Sequence, residues 1–117
     1  MGERFISVDD AGGLEAVFAR SKEGPVLLFK HSLTCPISAA AYTQMGRLEH
    51  EVALVVVQKA RDVSREVESR TGVRHESPQA LIILDGKVVW SDSHWGITTD
   101  GVEKAMREAE KSLGSGA

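Results

Sequence analysis

The feature that most constrains the fold is an apolar run that leads directly into a short turn, a lone cysteine and a proline. Residues 25–38 read Pro-Val-Leu-Leu-Phe-Lys-His-Ser-Leu-Thr-Cys-Pro-Ile-Ser, and a helical pattern continues to about Glu49. This order predicts a strand, a turn and a helix, with Cys35 at or beside the helix N-cap. Pro36 then occupies the first helical position, where its fixed φ fits and its missing N–H is not needed.

This position has a chemical consequence for Cys35. The N–H groups of the first helical turn have no partner inside the helix and carry the positive end of its dipole, so they favour a thiolate over a thiol. Cysteines in such places are reactive. The alternative is a small buried hydrophobic residue, which is how most single cysteines of intracellular domains behave. The agreement of strand end, helix start and flanking proline favours the reactive interpretation.

Length and composition limit the class of protein. A chain of 117 residues can form one domain with a real core, without metal or disulfide support. A single cysteine excludes an internal disulfide and fits a reducing compartment. The sequence shows no secretory signal pattern and no apolar run as long as a membrane span, and its net charge of −3 offers no basic surface. We therefore expect a soluble cytoplasmic protein whose partners are neither nucleic acid nor membrane.

Strand and helix patterns alternate along the first half of the chain and change in the second half. The predicted strands cover residues 5–8, 26–30, 52–57, 80–84 and 87–90, and the predicted helices cover about 14–21, 36–49, 63–70 and 99–113. The two continuously apolar runs, 26–30 and 52–57, predict parallel central strands joined by a right-handed helical crossover. Asp85 and Gly86 predict a two-residue hairpin turn between the last two strands.

These elements together predict the fold class. A βαβ unit, a linking helix, a hairpin and a closing helix give an α/β domain with a mixed central sheet of about four to five strands and helices on both faces. A cysteine at the start of the helix after the first central strand makes this arrangement thioredoxin-like. We expect one such domain over residues 1–113 and a flexible C-terminal tail over residues 114–117.

A second candidate site lies between the third helix and the hairpin. Pro78 directly precedes a strand, where a proline can start a ladder but not continue it. In thioredoxin-like folds the proline at this place is cis and faces the active-site cysteine, which exposes the backbone of the preceding residue, here Ser77, to a bound thiol peptide. The alternative is a trans proline in a plain loop, because only about one in twenty X–Pro bonds is cis.

The histidines predict no metal site, because with one cysteine they show no paired ligand spacing. They are scattered at His31, His50, His75 and His94. His31, four residues before Cys35, could tune the thiolate or could be a satisfied turn residue. The segment 93–96 could line a groove beside the cysteine or could anchor the last loop.

Ser38 stands where a Cys-x-x-Cys motif has its second cysteine. A dithiol enzyme uses that second thiol to release its mixed disulfide internally, whereas this chain must rely on an outside thiol. Such a protein is suited to taking a small thiol from a modified protein cysteine and passing it to a second small thiol. Ser38 could also donate a hydrogen bond to the Cys35 thiolate.

Three blocks of the sequence resemble the YtxJ-like monothiol bacilliredoxins. The blocks are Lys-His-Ser-Leu-Thr-Cys-Pro-Ile-Ser-Ala-Ala-Ala-Tyr at 30–42, His-Glu-Ser-Pro-Gln at 75–79, and Ser-His-Trp with Ile-Thr at 93–98. They occur in the same order as in the family, and the Thr-Cys-Pro-Ile-Ser and His-Glu-Ser-Pro-Gln blocks are specific.

The resemblance implies a thioredoxin-like oxidoreductase that reverses S-bacillithiolation, with Cys35 accepting bacillithiol or a related small thiol. It implies no bound cofactor; the partners would be S-bacillithiolated proteins, free bacillithiol as co-substrate and a downstream NADPH-dependent disulfide reductase. The catalytic residues would be Cys35, Pro36 and Ser38. The substrate-binding residues would be Thr34, Ser77, Pro78, His94 and Trp95.

Two other functions are also compatible with these residues. Cys35 could be the modified residue of a non-enzymatic redox sensor or adaptor. A glutaredoxin-like iron–sulfur carrier is the other possibility, and it would need a dimer because clusters require thiolate ligands and each chain has one.

Overall fold

The computed structural model describes residues 4–115, which form a five-stranded mixed sheet with helices packed on both faces. The strands are β1 Phe5–Ser7, β2 Val26–His31, β3 Val52–Val56, β4 Gln79–Leu84 and β5 Lys87–Ser93. The helices are α1 Ala11–Arg20, α2 Pro36–Met45, α3 Arg61–Thr71 and α4 Thr99–Ser115, and a short 3₁₀ helix covers His94–Gly96. No helix within residues 4–115 is long and apolar enough to cross a bilayer.

The strand order is β1-β3-β2-β4-β5. Strands β1, β3 and β2 are mutually parallel, β4 is antiparallel to β2, and β5 is antiparallel to β4. The hairpin turn at Asp85 and Gly86 has φ values of 52° and 76°. Positive φ at both central residues matches the right-handed twist of the flanking strands, and glycine adopts it without steric cost. The predicted thioredoxin-like α/β fold is confirmed.

Strand β2 is buried on both sides, so it separates two hydrophobic cores. Leu27 and Phe29 face the core that is closed by α2 and α4. Leu28, between them, faces the core that is closed by α1 and α3. Alternation along β2 therefore sends the side chain of Lys30, two residues after Leu28, to the α3 side of the sheet.

Several element bounds differ from the sequence prediction: α1 and α3 begin three and two residues earlier, and β5 runs three residues further. Helix α2 ends at Met45 and not near Glu49, because Gly46 is its C-cap and Leu48 then turns inward to a position that is 1% exposed. Helix α4 extends to Ser115, two residues past its predicted end. The last two residues of the predicted tail, 116 and 117, lie outside the described part of the chain.

Candidate active site

Cys35 lies where the chain passes from β2 into α2. It is the N-cap residue of α2, with extended backbone angles of φ −106° and ψ 121°, and Pro36 follows at the first helical position. The first turn is closed by the Ala39 N–H, which donates to the Cys35 carbonyl oxygen at 3.0 Å. The side chain makes no capping hydrogen bond, is partly exposed and belongs to neither core. A sulfur in this position is accessible to a reacting disulfide.

Ser38, one turn into α2, is fully buried, and its hydroxyl has hydrogen-bond partners other than the sulfur. The Oγ atom accepts a hydrogen bond from Ser32 N–H at 2.9 Å and lies 2.8 Å from His31 Nδ1. Among the described residues, no hydrogen bond joins Ser38 to Cys35. The expected contact with the thiolate is thus replaced by one that ties α2 to the end of β2.

His31 is a buried partner of Ser38 and not a free base. Its ring stacks on Phe29 with centroids 5.7 Å apart and packs against Tyr42 at 4.8 Å. Burial lowers the pKa of His31 below its ordinary value, because the apolar surroundings disfavour the charged form. The ring is therefore neutral at physiological pH. It packs beneath the first turn of α2 and is a hydrogen-bond partner of Ser38 there.

Gln58, just beyond β3, holds the turn that leads to Cys35, a role that the sequence analysis missed. Its Oε1 accepts the Leu33 N–H at 3.1 Å. Its Nε2 donates to Ser32 Oγ at 2.8 Å and to Thr34 Oγ1 at 3.4 Å. One amide thus contacts all three residues before the cysteine. The pattern that could have indicated this role is a polar residue just after a buried strand. Because β2 and β3 are parallel, their carboxyl ends lie side by side, and the active-site turn follows β2.

Gln58→Ala is expected to slow thiol transfer by up to about 100-fold, because a reacting group misplaced by about 1 Å can cost that much. Gln58→Glu keeps the acceptor for Leu33 and loses both donors, so its rate should lie between those of Gln58→Ala and the wild type. The exposed neighbour supplies the control Lys59→Ala. Equal rates for Gln58→Ala and Lys59→Ala at equal melting temperature would show that Gln58 does not position the turn.

The segment before β4 reaches the same end of the sheet. The β2–β4 register pairs Lys30 with Gln79, so Pro78 lies beside His31, close to the start of the active-site turn. The Ser77–Pro78 peptide bond is cis. Pro78 is buried, and Ser77 Oγ is also buried without a hydrogen-bond partner among the described residues.

The 3₁₀ helix after β5 completes the site. It packs against α2, and His94 N–H donates to the Pro78 carbonyl oxygen at 3.1 Å. His94 Nδ1 lies 3.6 Å from Glu76 Oε1. Trp95 projects from this segment with 69% of its surface exposed. The segment therefore both anchors the loop and presents a large apolar side chain.

The predicted site residues gather at one end of the sheet, on three segments that meet where β2 ends. They are Thr34, Cys35, Pro36 and Ser38 on the first segment, Ser77 and Pro78 on the second, and His94 and Trp95 on the third. His50 lies before β3, at the opposite end of the sheet, and His75 packs against α3. Within residues 4–115, no three His, Cys, Asp or Glu side chains are grouped as metal ligands would be.

Comparison with known proteins gives the same fold and a specific family. The sequence model of a family described as monothiol bacilliredoxin BrxC matches residues 6–102. A solved structure described as having a thioredoxin fold is 34% identical, with a TM-score of 0.81 over 88% of this chain and 94% of its own. Thioredoxins are more distant and show the fold alone. That of Fasciola hepatica is 17% identical (TM-score 0.69, 88% of this chain and 97% of its own), and that of Trypanosoma brucei brucei is 10% identical (TM-score 0.71, 89% and 88%).

Proposed function

Because the chain belongs to the monothiol bacilliredoxin BrxC family, whose fold is that of thioredoxin-like oxidoreductases, we propose that it removes bacillithiol from mixed disulfides on proteins. The observation that carries the proposal is one cysteine, partly exposed at the N-terminus of α2, with a buried serine at the place of a second thiol. A related small thiol would fit the same chemistry.

The reaction has two exchange steps, both between a thiolate and a disulfide. In the first, the Cys35 thiolate attacks the bacillithiol sulfur of the client, the client thiolate leaves, and a Cys35–bacillithiol disulfide forms. In the second, the thiolate of free bacillithiol attacks that disulfide and releases Cys35 with one molecule of oxidised bacillithiol. An NADPH-dependent disulfide reductase returns the two electrons. Because the reaction needs a pool of reduced thiols, we expect it to take place in the cytoplasm.

The geometry around Cys35 supports both steps. Ser38 leaves no internal thiol to compete with the outside one, and its hydroxyl is occupied by Ser32 and His31. On the facing segment, the buried hydroxyl of Ser77 has no partner in the described structure, and leaving such a group unpaired is costly. Because this oxygen is shielded from solvent, the part of Ser77 that we expect to pair with an incoming polypeptide is its backbone. Trp95 offers an exposed apolar contact at the rim.

Turnover is the decisive test of this function. A bacillithiolated protein in large excess over the enzyme, with free bacillithiol, a bacillithiol disulfide reductase and NADPH, should consume many equivalents of NADPH per enzyme molecule. The matched reaction without free bacillithiol should stop after one equivalent of client thiol is released, because Cys35 then stays modified.

Each alternative predicts a different result, the sensor in the same experiment and the carrier on purification. A sensor modified at Cys35 would stop after one equivalent even with free bacillithiol and the reductase present, and this result would contradict the proposal. An iron–sulfur carrier would be coloured, dimeric and iron-containing after anaerobic purification.

A further inference from the structure

Lys30 is a buried cation one residue before the end of β2. Its side chain is fully buried on the α3 side of the sheet, where Nζ donates to the Ser64 carbonyl oxygen at 3.1 Å and lies 3.1 Å from His75 Nδ1. An ammonium group in the interior is very costly unless its donors are satisfied. Its cross-strand partner Gln79 is also buried, with an Oε1 atom that has no partner among the described residues. The Ser64 carbonyl oxygen and His75 Nδ1 are therefore important for satisfying the donors of the Lys30 ammonium.

His75 covers this buried ammonium from the solvent side. Lys30 can donate to Nδ1 only if that nitrogen carries no hydrogen, so the paired ring is neutral with its proton on Nε2. Ser64 Oγ lies 3.2 Å from the same nitrogen. The His75 backbone N–H donates to Glu68 Oε2 at 3.0 Å. Side chain and backbone of His75 are thus fixed to β2 and α3 together.

This anchor lies directly before the second segment of the active site. Only Glu76 and Ser77 separate His75 from Pro78. On the other side of Pro78, Gln79 Nε2 donates to the Arg74 carbonyl oxygen at 2.9 Å, which closes the segment on itself. If His75 moved away from Lys30, Ser77 and Pro78 would therefore move with it.

We propose that Lys30 and His75 are positioning residues that hold the Ser77–Pro78 segment beside Cys35, and that protonation of His75 releases it. The inference rests on the proposed function, because only there is this segment a substrate-binding surface. A protonated ring has no acceptor for Lys30 and places a second positive charge beside the ammonium. The segment would then detach from β2.

The charges around the ring set the pH range of this release. The charged side chains that face His75 or line the adjoining cavity of about 230 Å³ are Lys30 of β2, Arg61, Arg65 and Glu68 of α3, and the neighbouring Glu76. Burial and then Lys30 lower the pKa of His75, against the opposite effect of Glu68 and Glu76. Burial also lowers the pKa of Lys30 to about 8, which leaves it largely charged at pH 7. The anchor is thus intact above the ordinary histidine pKa of about 6.5 and is lost progressively below it.

The test compares thiol-transfer rates of the wild type and His75→Asn from pH 5 to 8. Asparagine offers an Oδ1 acceptor close to the place of Nδ1 but does not titrate, and any pH dependence that the two proteins share cancels in the ratio of their rates. The wild-type rate should fall relative to that of His75→Asn by about tenfold between pH 7 and pH 5. The ratio of His50→Asn to wild type, for a histidine at the far end of the sheet, should stay flat.

His75→Leu removes the acceptor, so this variant should transfer thiols slowly at every pH. Lys30→Met should transfer thiols slowly at neutral pH, and its rate should not fall further in acid as that of the wild type does. A wild-type to His75→Asn ratio that does not change with pH would overturn the proposal.

Hydrogen–deuterium exchange of residues 74–80 gives a readout that needs no bacillithiol. Protection corrected for intrinsic rates should fall in the wild type as the pH is lowered from 7 to 5 and should be kept in His75→Asn. If the wild type transfers no thiol at all, the proposed function fails, while the exchange result still decides whether the anchor exists.

Discussion

Cys35→Ser is expected to abolish thiol transfer and leave the fold intact. Both exchange steps pass through the sulfur of residue 35, and no other cysteine exists in the chain to replace it. Serine is a favoured N-cap residue, and the side chain at this position makes no hydrogen bond that the change would break. The melting temperature should therefore equal or slightly exceed that of the wild type, while transfer falls to the rate seen without enzyme.

A matched double variant tests whether the protein needs a thiol at residue 35 or only a thiol somewhere on its surface. Cys35→Ser/Thr43→Cys restores one thiol per molecule on an exposed position of α2, about 12 Å along the helix axis from residue 35. We expect it to be as inactive as Cys35→Ser. Transfer by either variant at more than a small fraction of the wild-type rate would contradict the assignment of the reacting sulfur.

Ser38→Cys is expected to convert the protein from a monothiol to a dithiol mechanism. Residues 35 and 38 are three apart at the start of one helix, which puts their Cα atoms about 5 Å apart, within the range that disulfides span. The new thiolate would attack Cys35 Sγ of the mixed disulfide and displace bacillithiol, which leaves an internal disulfide. Release of bacillithiol from the modified enzyme should then no longer need free bacillithiol, as quantification of free bacillithiol after one turnover would show.

The control for this variant is Thr43→Cys, which adds the same number of thiols but lies too far from Cys35 to form a bridge within one chain. Mild oxidation should remove both free thiols from monomeric Ser38→Cys and neither from monomeric Thr43→Cys. If Ser38→Cys keeps two free thiols under the same conditions, the two side chains are not arranged as the structure indicates.

The sequence was sufficient for the order and topology of the elements because those follow from local patterns. The continuous apolar run in β2 indicates burial on both faces, and the Asp85-Gly86 pair indicates a tight hairpin turn; both are properties of adjacent residues. The position of Cys35 was predictable for the same reason, since Pro36 marks the first residue of α2.

Contacts between residues far apart in the sequence could not be predicted from local patterns. Gln58 is 25 positions from Leu33, and His75 is 45 positions from Lys30, so nothing in the local pattern associates either pair. Lys30 itself closes an apolar run, where a lysine is ordinarily expected to reach solvent. The sequence suggested the nearby thiolate as one partner of the Ser38 hydroxyl, but its observed partners, His31 and Ser32, become visible only in three dimensions.

The most direct test of the account is mass spectrometry of the Cys35 peptide after one turnover with a bacillithiolated client and no free bacillithiol. The account predicts that the mass of bacillithiol moves from the client to Cys35 in equal amounts, and that later addition of free bacillithiol removes it. A client that is demodified while Cys35 stays unmodified, or a Cys35 adduct that free bacillithiol cannot remove, would contradict the monothiol mechanism.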